Sequence, residues 1–188
     1  PYHARAMGNP FIERHSPKEL ASGQQVIEIA EKISSFDRLS FSIEADLNAL
    51  DPDKMPTDWR DLRVSGRLEF GFAGTGSKLP AMRGEAEVET YAVCQRCLEP
   101  MVVSLRVGLK YLLADGEYDD YEVWDLEEST LRPIDIVDEA LVMAIPMSVL
   151  HVDSEDCRRV TAGEEPAEEK IRPFAALRAQ MDEEDSAG

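Results

Sequence analysis

The 188 residues, 43% of them hydrophobic and 7% aromatic, supply enough apolar material for one domain with a core, and too much for a wholly disordered chain. The formal net charge is −18, with 20 Lys and Arg against 38 Asp and Glu, which argues against a surface that grips phosphates by counterion release. No apolar run is long enough to cross a bilayer and no basic-then-apolar leader opens the chain, so we expect a cytoplasmic protein without membrane contact.

In chain order, Ser16-Pro17-Lys18-Glu19 carries a helix start, with Ser at the N-cap, Pro at the first helical position and Glu at the third. That helix is short and ends near Gly23. Residues 25–33 then alternate with period two, which predicts a strand with Ile27, Ile29 and Ile33 inward. Residues 39–47 repeat the alternation through Leu39, Phe41, Ile43, Ala45 and Leu47, and predict a second strand. The prolines of Asp51-Pro52-Asp53-Lys54-Met55-Pro56 mark a loop, since they cannot join a ladder.

Three longer alternating runs follow, at residues 62–72, 82–94 and 102–111, joined by a glycine-rich connection and by Cys94-Gln95-Arg96-Cys97. One side of each run is mostly polar, which predicts an antiparallel sheet with one wet face. Ile134, Ile136, Val137, Ala140, Leu141, Ala144 and Ile145 recur at three- and four-residue spacing and predict the main packed helix, with Asp135, Asp138 and Glu139 near its start and Pro146 at its end. The expectation is an α+β fold: an antiparallel β-sheet of about five to six strands, one main packed helix and a mobile acidic C-terminal tail. In domains, it is an N-terminal tail over 1–10, a single α+β domain over 11–157, and a tail over 158–188 that holds the small apolar motif Pro173–Leu177.

Cys94 and Cys97, with two residues between them, sit on a strand-to-strand turn, which can point both sulfurs to one side and hold a metal ion. A structural zinc site takes four ligands, and His151 with Cys157 would complete a three-cysteine, one-histidine set. Two other readings stand beside it. The cysteines can be ordinary small residues, or the pair can do redox work, although thioredoxin-type pairs sit at a helix N-terminus after a parallel strand. Between 115 and 128, Tyr118, Tyr121 and Trp124 are interleaved with carboxylates, which fits anchors for a basic partner or aromatics tucked against the sheet. Phe174 and Leu177 are further partner-binding candidates. No nucleophile elbow, metalloprotease helix or phosphate loop is present, so no catalytic residue is expected.

Three segments in order, Cys94–Pro100, Pro133–Pro146 running on to His151 and Cys157, and Pro173–Leu177, resemble the bacterial large ribosomal RNA subunit accumulation proteins, the YceD-like family. The resemblance implies a non-enzymatic factor that supports 23S rRNA synthesis, processing or stability. It maps onto Cys94, Arg96, Cys97, Glu139 and Pro146 as motif positions rather than catalytic ones. Some relatives carry more cysteines after the Ile-Pro helix end, which look like a complete zinc site, whereas this chain keeps Cys157 with His151 as the candidate substitute. We expect Arg96 to pair with Glu139. A basic ribosomal or rRNA-processing protein is the expected partner. The alternatives are direct 23S rRNA binding, through a face bearing Arg60, Arg63, Arg67 and Arg83, and a zinc-dependent RNA-processing enzyme.

Overall fold

A computed structural model describes residues 9–74, 76–118, 120–126, 129–152 and 157. The chain divides into two compact units, Pro1–Asp153 and Ser154–Gly188. The first unit is α+β, and its elements in order are α1 (Pro17–Ser22), β1 (Val26–Lys32), α2 (Asp37–Leu47), β2 (Arg63–Phe72), β3 (Pro80–Val93), β4 (Pro100–Leu112), β5 (Glu122–Val123) and α3 (Pro133–Met143). The strands lie in sequence order in one sheet, β1 to β4 antiparallel and the two-residue β5 parallel to β4. The sheet is therefore mixed rather than purely antiparallel. Among the described residues no helix is long and apolar enough to cross a membrane.

Alternation drives the sheet as expected. Ile27 and Ile29 of β1, Val64 and Leu68 of β2, Met82, Ala86 and Val88 of β3, and Leu105 and Leu109 of β4 are buried on one face. Pairing holds them in layers, with Ile27 opposite Leu68 and Val88 opposite Leu105. Two glycines let the backbones approach on that face. A Cβ at Gly66 would come 2.3 Å from the Glu85 carbonyl oxygen, and one at Gly84 would come 2.2 Å from that of Arg67.

The second predicted strand is instead α2. Leu39, Ile43 and Leu47 are buried at a spacing of four, while Phe41 is 72% exposed and Ala45 is exposed too. A four-residue repeat also satisfies a period of two, so residues 39–47 fit both patterns. The helix won because Phe36 and Leu39 join the core and a carboxylate from another helix holds its start. That carboxylate is Asp138 of α3. It accepts the backbone N–H of Arg38 at 2.9 Å and of Leu39 at 2.8 Å, two donors that a helix start leaves unpaired. Arg38 returns the contact with its guanidinium 2.5 Å from Glu139. Besides α3, which supplies Ile136, Val137 and Leu141 to the core, α2 and Leu20 of α1 thus pack against the buried face.

Candidate metal centre

The β3–β4 hairpin reverses through residues 94–99, between the last paired residues Val93 and Pro100. Two backbone bonds tighten the reversal: Cys94 N–H to the Glu99 carbonyl at 3.0 Å, and Leu98 N–H to the Cys94 carbonyl at 3.0 Å. This closure puts Leu98 at φ +54°, a left-handed conformation that costs an L-residue about 1–2 kcal/mol and that glycine or asparagine usually fills.

Three elements outside the hairpin hold the reversal. The Asp46 carboxylate on α2 accepts the Val93 N–H at 2.8 Å. Lys54, in the turn at Pro52–Lys54, forms an ion pair with Glu99. The segment after α3 supplies the Val149 carbonyl to the Gln95 N–H at 2.9 Å.

That last bond brings His151 to the turn. Its Nδ1 lies 3.3 Å from the Cys97 sulfur, and the ligand atoms of Cys94, Cys97 and His151 all lie within 4.8 Å of one another. Cys94 is fully buried, and burial works to raise its pKa. Backbone N–H groups of Cys97, Arg96 and His151 and the Cys97 side chain overcome that effect, and the thiol is lowered to about 5. A buried thiolate beside a second sulfur and an imidazole is a donor set suited to zinc, a borderline-soft cation that takes both sulfur and nitrogen. No disulfide joins the three cysteines. Cys157 belongs to the second unit and is buried. The redox geometry is absent from this turn, since Cys94 opens a strand-to-strand reversal and not a helix.

The other sequence candidates have different places. Arg96 contributes its backbone to Cys94, and Glu139 pairs with Arg38 rather than with Arg96 as expected. Pro146 follows the end of α3, as its missing N–H requires. Tyr121 packs beside Ala73, Ala81 and Leu112 and faces two cations: the Arg83 guanidinium stands 5.3 Å and the Lys110 amine 4.8 Å from its ring centroid. The Tyr121 hydroxyl also bonds Arg83. Trp124 packs edge-on against Tyr111 and touches the main core. Tyr118 stacks edge-on against Tyr121, its hydroxyl lying where a Cβ on Gly74 would fall. These aromatics clasp the outer edge of β4, and 37% of Tyr118 remains exposed. Phe174 and Leu177 lie outside the described residues.

On the wet face the arginines meet carboxylates. Arg67 bridges Glu28 at 2.8 Å and Glu69 at 3.0 Å, and Arg106 pairs with Glu87 at 2.8 Å. Arg63 donates to the Ala30 carbonyl, while Arg60 lies off the strands, paired with Glu44 and stacked over Trp59. Sequence reasoning missed Asp138, Asp46, Lys54 and Leu98, because each acts through a long-range contact or a backbone conformation that no local pattern announces.

In this α+β sheet domain the hairpin tip joins a Cys-x-x-Cys turn to a histidine from beyond α3. The family model described as "Large ribosomal RNA subunit accumulation protein YceD" matches residues 82–179, just over half of the chain, and the chain belongs to that family. No curated protein and no solved structure matches it.

Proposed function

We propose that the protein is a non-enzymatic, cytoplasmic factor that sustains 23S rRNA in large-subunit biogenesis through a basic protein partner. The family description supports the ribosomal RNA role. The observation that carries the partner is the electrostatics of the sheet. Arg67 and Arg106 on the wet face are matched by Glu28, Glu69 and Glu87, in a chain of net charge −18, so that surface offers no excess of cations to a phosphate backbone. A ribosomal or rRNA-processing protein rich in Lys and Arg meets the opposite situation, in which charge steers the encounter.

In this reading Cys94, Cys97 and His151 hold a structural zinc ion. The support is their donor chemistry. Zinc would staple the hairpin tip to the segment after α3 and supply no reaction step.

Deletion in the source cell tests the function: 23S rRNA should fall relative to 16S and recover with the intact gene, and an unchanged ratio refutes it. Purified protein tests the metal. About one zinc per chain should be found, lost in Cys97→Ser, and no zinc above background refutes the site.

A further inference from the structure

Resting on the partner reading above, we propose that the exposed apolar surface at the cysteine knuckle, centred on Leu98, is a docking site for a basic protein segment that presents an aliphatic or aromatic side chain between lysines or arginines.

Two independent observations meet at Leu98. Its backbone is held left-handed at φ +54°, where a branched side chain is out of place, and that side chain is 58% exposed. Neither packing nor local stability explains a leucine there, since glycine would make the same turn without strain. Strain that the surrounding structure enforces on an exposed apolar group points to use by another molecule.

The neighbourhood extends the surface. The Gln95–Val149 bond and the 3.3 Å approach of His151 to Cys97 bring the segment after α3 alongside the knuckle. That segment exposes Met147 completely and Leu150 by 42%. An apolar centre of this kind, rimmed by polar groups, is the ordinary form of a protein interface.

Charge complementarity selects the occupant. The turn beside the knuckle carries Asp51 and Asp53, both exposed, and Lys54 there is already paired with Glu99 and lies in the fields of Asp51 and Cys97. With Asp51, Asp53 and Glu99 set against Lys54 and the knuckle's own Arg96, the rim keeps one carboxylate in surplus around an apolar centre. An acidic segment or a phosphate backbone would be repelled at that rim, while lysines flanking an apolar anchor would be drawn to it.

The test uses the full chain and short synthetic peptides with a central Leu or Phe flanked by lysines, with matched peptides carrying flanking glutamates or a central serine. A single-stranded RNA of similar length is a separate arm. Fluorescence anisotropy should show salt-sensitive binding of the lysine-flanked apolar peptide alone. Leu98→Gly should weaken that binding about tenfold or more while raising the Tm by about 2–4 °C, because the same change removes the anchor and relieves the turn. Weaker binding in a more stable protein cannot come from misfolding. The proposal is overturned if no peptide binds, if Leu98→Gly binds as well as the wild type, if its Tm falls, or if RNA binds in a Leu98-dependent way. In the source cell, full rescue of 23S rRNA by Leu98→Gly would sink the docking site and leave the proposed function standing. A deletion with normal 23S rRNA would sink the function and leave the peptide result to stand by itself.

Discussion

Replacing Asp138 by alanine removes the carboxylate that receives two of the first N–H groups of α2, and the size of the effect follows from the geometry. Two bonds are lost, at 2.9 Å from Arg38 and 2.8 Å from Leu39, and the Leu39 donor is buried. Each unpaired buried donor costs about 1–3 kcal/mol. Part of this is offset, because burial pushes the Asp138 carboxyl up and the alanine variant no longer desolvates it. A net loss of about 2 kcal/mol is expected, close to the upper end for helix caps, or about 4–8 °C in Tm for a chain of this size. Calorimetry and urea unfolding measure it, with an unchanged m-value showing that the unfolded state is unaltered. Because the folded pKa is raised, the contribution of Asp138 is fully present below its ordinary value of 3.8 and declines as pH rises through the folded value. Wild type should therefore gain on Asp138→Asn as the pH is lowered from neutral toward 4. A Tm for Asp138→Ala within a degree of wild type would refute the capping argument, and a pH-independent gap to Asn would refute the burial argument.

Two further substitutions test the packing. Gly84→Ala places a Cβ 2.2 Å from the Arg67 carbonyl oxygen and should destabilise by about 1–3 kcal/mol through forced separation of β2 and β3, which a thermal melt would detect. Tyr121→Ala should lower the Tm, since the ring covers Ala81 and Leu112 and faces both Arg83 and Lys110; an unchanged Tm would return Tyr121 to the pool of partner anchors.

Much of the sheet was legible because β2, β3 and β4 alternate over ten or more residues and each has one wet face. The α1 start at Pro17 and the α3 span were legible from cap residues and from three- and four-residue spacing. Residues 39–47 were not, since Leu39, Ile43 and Leu47 satisfy both periods and the deciding contact, Asp138, lies about a hundred residues away. Cys94, Cys97 and His151 could be grouped in advance because thiol and imidazole chemistry names its own partners. The Arg96–Glu139 pairing failed for a plain reason: α3 packs against the start of α2, and Arg38 reaches Glu139 there. The places of Tyr121 and Trp124 depend on where the chain crosses the edge of β4, which composition does not encode.

The position of the cysteine pair at a hairpin tip also orders events during folding. Cys94 and Cys97 come together as soon as β3 and β4 zip, a local closure with small loop entropy. His151 joins only after α3 has docked and the following segment has bonded to Gln95, more than fifty residues along the chain. The hairpin can thus form first and wait for its histidine. The Cys97–His151 contact then serves as a late latch whose closing marks completion of the first unit, and pulse-labelled hydrogen exchange should protect β3 and β4 before the Gln95 amide.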